Sequence, residues 1–245
     1  AGIADAGQLA TAFPDLDLYD ATEPDVATLN TLADEAERTA LDIAGVTNSD
    51  SASMSFGKDK TFFAASNGFS GHYASSGFSL SVSVIAGEGS GMETDYHYDS
   101  STYFCDLMPA AAIGREAGLR AVRSLNPRKV STQNVPVVFD QRLAGGMIGS
   151  LASAISGHNV ARGTTLLKDK MGEMLFAKDI SVIDDPFLKR GARSHPFDAE
   201  GLAPQKRAII HDGMLTGWLL DLAAARQLNL TPTGNAARGT SSPPM

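Results

Sequence analysis

Residues 194–221, SHPFDAEGLAPQKRAIIHDGMLTGWLLD, decide the fold class. An alternating run from Ala208 reaches Asp212-Gly213, and a second apolar strand, Met214 to Leu220, leaves it. An Asp-Gly pair between two such runs is a hairpin signature. Upstream of it, Asp198 and Glu200 form an acidic pair that closes on Gly201. Downstream, an Ala-rich stretch predicts a short helix from about Leu222 to Leu228.

Working outward, the residues just before the hairpin read as strands at Thr164 to Leu167, Glu173 to Ala177 and Ile180 to Ile183. Val135 to Phe139 reads as another short strand. Asp140 is placed to cap a helix running from Gln141 to about Ser156. That helix is poor in bulky side chains, with Gly145, Gly146, Gly149, Ser150, Ala152, Ser153 and Ala154 over most of its surface. Such a composition predicts close approach of another backbone, within the fold or across a subunit interface, because each glycine costs roughly 0.5–1 kcal/mol of helix propensity that packing must offset.

In the first half, Thr22, Glu23, Pro24 and Asp25 introduce a helix with Val26, Leu29, Ala33, Ala36, Ala40 and Ile43 on one face. From Ser51 to Ser100 the period becomes two. Turn residues at 57–60, at Asn67-Gly68 and at 87–91 then predict an antiparallel meander of about four strands. Pro109 opens a second helix that ends near Asn126-Pro127. Strand runs separated by single helices predict an α+β protein, with a helix–meander–helix region over residues 1–130 and a strand-rich region over 131–245. The Gly-, Pro-, Ser- and Thr-rich tail from Thr231 to Met245 reads as loop.

At 245 residues and 43% hydrophobic, the chain can bury a sizeable core. A net charge of −8 argues against sequence-independent nucleic-acid binding, which needs clustered Lys and Arg. Cys105 is the single cysteine, which excludes a disulfide framework and a cysteine-rich zinc ribbon and predicts a reducing, cytoplasmic setting. No apolar run approaches the roughly 20 residues that span a bilayer, so no membrane partner is expected. The motifs GxSxG, GxxxxGK[ST] and a strand-to-helix GxGxxG are all missing.

Five segments occur in an order that resembles the TldD/PmbA family, also called modulators of DNA gyrase. They are Ser66-Asn67-Gly68-Phe69, Ser79 through Ile85 with Glu88 and Asp95-Tyr96, Val137 to Asp140, Ala154-Ile155-Ser156-Gly157, and Pro196 to Leu220. The likeness is nearest to the PmbA or TldE half of that family of metallopeptidase subunits, and it makes both ends of the sequence look like internal positions. In the catalytic half the helix equivalent to 141–156 carries HExxxH, two histidines that bind zinc and a glutamate that activates water. The corresponding residues here are Gly149, Ser150, Leu151, Ala152, Ser153 and Ala154, which supply neither ligand nor base. The resemblance therefore implies a non-catalytic subunit without a cofactor of its own, a TldD-like partner that carries the zinc, and a peptide substrate held by strand addition. In isolation a homodimer is the alternative assembly.

Candidate cavity or peptide-holding residues are Ser150, His158, Asn159, Asp198 and Glu200. Asp198 and Glu200 admit two readings, a general acid/base pair or a polar turn that accepts backbone N–H bonds. His158-Asn159 either lines a cavity or ends the preceding helix. A zinc site from His97, Asp99 and Cys105 is conceivable, since the first two share a strand face. Two other functions compete with the subunit reading: a scaffold with no peptidase association, and an autonomous hydrolase using Asp198, Glu200 or His158.

Overall fold

A computed structural model describes residues 2–239. The chain forms an α+β fold whose contacts divide into two compact units. One holds residues 17–60 and 74–134. The other gathers the residues up to Leu16, Thr61–Tyr73 and everything from Val135 onward. The division is thus discontinuous in sequence, whereas the sequence reading placed a single boundary at 130.

The first of these units is built on a sheet of strands β1 (Val46–Ala64), β2 (Ser70–Ala86) and β3 (Glu93–Ser101) in the order β1-β2-β3. The meander has three strands, not four. β1 runs unbroken through Gly57 to Lys60, and Lys58, the charged residue of that expected turn, is held by the Ala21 carbonyl at 2.8 Å and Glu23 at 2.9 Å. β2 and β3 pair antiparallel from Phe78↔Ser101 to Ala86↔Glu93. The alternation of β2 sends Phe78, Leu80, Val82 and Val84 to a buried face, where they pack with Ala36 and Ala40 of α1 (Val26–Leu41) and Ile113, Ala117 and Ala121 of α2 (Ala110–Arg123). Asp25, the last of the four residues that introduce the helix, caps α1 by accepting from Thr28 N–H at 2.8 Å.

Close backbone approach occurs here, between α1 and α2. A Cβ on Gly114 would stand 2.0 Å from the carbonyl oxygen of Ala36, and one on Gly118 would stand 2.9 Å from that of Ala40. On Gly145, Gly146 and Gly149 of α3 (Gln141–Ala154) a Cβ would meet nothing within 4 Å. Among the described residues, then, nothing packs against Gly145, Gly146 or Gly149.

The second unit contains α3, α4 (Gly157–Arg162), a sheet of β4 (Val182–Asp184), β5 (Arg207–His211) and β6 (Met214–Leu215), and α5 (Leu222–Leu228). Asp212 and Gly213 both take positive φ, 47° and 82°, and close the β5–β6 hairpin with Ile210 opposite Leu215. A Cβ on Gly213 would lie 2.4 Å from the Phe176 carbonyl oxygen, so the turn needs glycine for space as well as for φ. Ile155, Ile210, Leu215, Trp218, Leu220, Ala224 and Ala225 form the core of this unit. A second cluster joins Ala10 to Phe69 and Phe197, whose rings meet edge-on at 5.1 Å.

The strands expected at 135–139, 164–167 and 173–177 are irregular, and the region is less strand-rich than its sequence suggests. Val135, Val137, Val138 and Phe139 are exposed and form no described strand pair, Val138 being 95% accessible. Of the tail expected to be loop, 231–239 is irregular and 240–245 lies outside the described residues.

Candidate functional site

The loop 198–202 is organised by one carboxylate. Asp198 is only 3% exposed, and its Oδ1 accepts from the N–H groups of Glu200 and Leu202, each at 2.9 Å. Its Oδ2 accepts from Ala236 N–H at 3.1 Å. Gly201 reverses the chain at φ 82°, where a Cβ would stand 2.8 Å from the Phe69 ring. Burial pushes the Asp198 carboxyl above the ordinary carboxylate range, and the three N–H donors oppose that shift without cancelling it. Asp198 thus accepts backbone N–H bonds, as the polar-turn reading requires.

Glu200 follows on the same loop but turns elsewhere. Its Oε2 accepts from Leu222 N–H at 2.8 Å, at the start of α5. Burial raises its pKa first, and the neighbouring charges of Asp198 and Asp221 raise it further. The Leu222 N–H and the charge of Arg226 act in the opposite direction.

Asp221 caps α5, accepting from Ala224 N–H at 2.8 Å. Its side chain is fully buried, and its second oxygen meets His158 Nε2 at 2.9 Å. A carboxylate at that distance accepts from a proton carried on Nε2 and so orients the ring. His158 and Asn159 lie in the six-residue helix α4, not in a loop. So short a helix depends on tertiary support. Gly157 N–H donates to the Leu219 carbonyl at 2.8 Å, and a Cβ on Gly157 would stand 2.5 Å from Leu220.

These elements surround a cavity of about 700 Å³ within this unit. His158, Asn159 and Glu200 line it, with Asn67, Arg162 and Arg238 as further polar groups and Ile3, Phe63, Ala65 and Leu222 among its apolar walls. Asp198 stands behind the wall. Ser150 is apart from the cavity, in a shallow hollow beside Gly149, Ser153 and Thr165, and its hydroxyl donates to the Gly146 carbonyl at 2.9 Å. Asn159 touches both hollows and donates to the Ser153 carbonyl at 2.8 Å.

Sequence reasoning missed Asn67, Asp221, Arg162 and Arg238. Asp221 carried a legible signal, an acidic residue directly before a predicted Ala-rich helix. Asn67 lay within the quoted SNGF segment; its amide donates to the Ala4 carbonyl at 3.0 Å and its Oδ1 accepts from Phe69 N–H. The two arginines carried no signal.

Metal binding finds no donor set among the described residues. No group of three or more His, Cys, Asp and Glu side chains is placed to hold an ion. Asp99 accepts from Met108 N–H at 2.7 Å and Cys105 lies against Asp106, so the conceivable His97, Asp99 and Cys105 site is not assembled. In α3, Gly149, Ser150 and Ala154 offer no imidazole or carboxylate, so zinc does not fit there. No helix among the described residues is long and apolar enough to cross a membrane.

The structure defines the class of two-unit α+β proteins. Residues 19–125 match the model of the PmbA/TldA metallopeptidase central domain, and residues 132–245 that of the PmbA/TldA metallopeptidase C-terminal domain. The metalloprotease PmbA of Escherichia coli O157:H7 is 38% identical over 237 residues, covering 96% of this chain and 53% of that protein. Its homolog in Haemophilus influenzae is 36% identical over 236 residues, covering 96% and 52%. A solved structure described as a modulator of DNA gyrase, from Bacteroides thetaiotaomicron, superposes with a TM-score of 0.89 at 28% identity, covering 95% of this chain and 54% of that one. TldE from Thermococcus kodakarensis superposes with a TM-score of 0.77 at 20% identity, covering 99% and 54%, a likeness of fold alone. The chain belongs to the PmbA/TldD family. It spans about half the length of the curated relatives it matches.

Proposed function

We propose that this chain belongs to the non-catalytic, TldE/PmbA-like subunit of a two-subunit zinc metallopeptidase that acts on unfolded peptides. The observation that carries the reading is α3. It occupies the position where the resemblance expects HExxxH, it presents Gly149, Ser150 and Ala154 there, and among the described residues nothing packs against its glycines. Leu143 is 61% exposed and Met147 52%, with Ile148 beside them. Leu143 and Met147 stand on one side of α3 and Gly145 and Gly149 on the other, so the exposed helix offers an apolar side and a side with room for close approach. This suits a partner helix, here that of a TldD-like subunit whose equivalent helix bears the zinc ligands and the glutamate. The peptide then lies between the subunits, with zinc and base supplied by the partner.

The test is elemental analysis of the full-length protein, followed by peptidase assay alone and with a TldD-like partner. No stoichiometric zinc alone and activity on mixing are expected. Gly149→Leu sharpens the test. With open space around it, the new side chain leaves the isolated fold intact but costs about 1–3 kcal/mol in a packed subunit contact. One zinc per isolated chain, or assembly undisturbed by Gly149→Leu, overturns the reading.

A further inference from the structure

Among the described residues, Glu200 is the carboxylate beside the cavity that keeps one oxygen without a protein partner. Asp198 commits both oxygens to backbone N–H groups. Asp221 commits one to Ala224 N–H and the other to His158. Glu200 receives only the Leu222 N–H, on Oε2, and among the described residues nothing bonds Oε1. A half-buried carboxylate with an open acceptor gains from a donor that a ligand brings. Because Asp198 and Asp221 bear on Glu200 from its own unit, a cationic donor gains more than a neutral one.

The other walls narrow the ligand. Ile3, Ala4, Phe63, Ala65, Leu222 and Ala223 make the lining largely apolar, which suits a hydrocarbon frame and disfavours a polyamine or a sugar. Arg162 and Arg238 also line the cavity; both are solvent-exposed, and Arg238 lies 5.9 Å from the Phe63 ring. They offer donors for carbonyl or carboxylate oxygens. At about 700 Å³ the cavity has the size of a small-molecule site.

We infer that this cavity is a receptor for a primary ammonium group on an apolar frame, the free N-terminus of a short peptide, with Glu200 as its anion and Arg162 and Arg238 meeting the peptide's oxygens. The choice of a peptide among amines rests on the subunit reading above. The ammonium chemistry does not. A lysine side chain carries the same group, and the probes separate the two sources.

The experiment is calorimetric titration of the full-length protein with Leu-Leu-Leu amide, its N-acetyl derivative, and N-acetyl-Leu-Lys-Leu amide. The free-amine tripeptide binds, and acetylation weakens it by about tenfold or more, the worth of a charge-assisted hydrogen bond. Glu200→Gln keeps an acceptor for Leu222 N–H and removes that discrimination, whereas Ala223→Phe fills the cavity without touching a charge and abolishes binding. Equal affinity for free and acetylated peptides, or discrimination that survives Glu200→Gln, overturns the inference. Tighter binding of the lysine peptide than of the free N-terminus assigns the ammonium to a side chain and overturns the N-terminal assignment. Assembly with a TldD-like partner is followed in parallel. Failure of the titration with assembly intact removes the inference alone, and failure of assembly with the titration intact removes the subunit reading alone.

Discussion

Replacing Asp198 with alanine removes the acceptor of three backbone N–H groups at once, those of Glu200, Leu202 and Ala236. Leu202 and Ala236 are 4% and 7% exposed, so water does not readily take over. An orphaned buried donor costs about 1–3 kcal/mol. Three of them, less the relief of removing a carboxylate whose burial disfavours its charge, give a net loss of about 3–5 kcal/mol. Asp198→Asn retains one oxygen for Glu200 and Leu202 but turns an NH₂ toward Ala236 N–H, and its loss is about 1–3 kcal/mol. The expected order of stability is therefore parent, then asparagine, then alanine. Trp218, the single tryptophan and 7% exposed within the core of the same unit, reports the transition in denaturant titrations of the full-length protein. An alanine variant within about 1 kcal/mol of the parent refutes the architectural reading, because surface-like tolerance is incompatible with two buried orphans and a half-buried one. A stable Asp198→Asn variant whose single-turnover cleavage collapses in the assembled pair by about 10²- to 10⁴-fold refutes it from the other side, by making Asp198 a general acid or base.

Gly114→Ala drives a methyl group to 2.0 Å from the Ala36 carbonyl oxygen and should destabilise the α1–α2 unit by about 1–3 kcal/mol, measured by loss of helical circular dichroism on heating. Burial raises both Asp198 and Glu200, so the native state holds their protons to higher pH than the unfolded chain does. Stability contributed by these groups therefore falls as pH rises from the ordinary carboxylate range through the raised values, and is level above them. Asp185, lowered chiefly by its bond to Lys206, works with the opposite sign at lower pH, and its contribution is small because Lys206 is exposed. Urea midpoints of the parent and of Asp198→Asn/Glu200→Gln, compared from neutral into acid, should show the parent gaining on the variant as pH falls; parallel curves would count against the assignment. His158→Ala removes the imidazole that meets Asp221 and, on the proposed reading, should weaken peptide binding or assembly while leaving the chemical step unchanged in single-turnover cleavage.

What was legible in the sequence was local. Asp25, Asp140 and Asp221 each stand where a cap belongs, and each accepts the N–H bond its position predicts. Asp212-Gly213 specifies its turn through two positive φ angles, a property of two adjacent residues. Where tertiary contacts outweigh local preference, the pattern misleads. Gly57 to Lys60 looks like a turn, yet β1 runs through it as a strand of the sheet beside β2, and Lys58 bonds the Ala21 carbonyl and Glu23. α4 has too few residues to announce itself and exists because Gly157 fits against Leu219 and Leu220. The cavity draws on residues from the SNGF segment, the 198–202 loop, α4 and α5, and no spacing rule connects them.

The glycines carry the same lesson further. The principle that small residues mark close backbone approach holds in this molecule, but it is satisfied inside the fold by Gly114 and Gly118 of α2, whose small faces meet Ala36 and Ala40. Composition alone ranks α3 above α2, since α3 carries fewer charges and three glycines to two. The difference lies in what stands opposite. α2 has a partner helix in its own unit, whereas α3 and the apolar residues 135–139 before it present their surface outward, Val138 and Leu143 among them. A chain with an exposed apolar helix in place of a metal-binding one has, on the proposed reading, kept the contact surface of that helix and discarded its chemistry. On the proposed reading, that surface is where the partner's zinc-bearing helix docks.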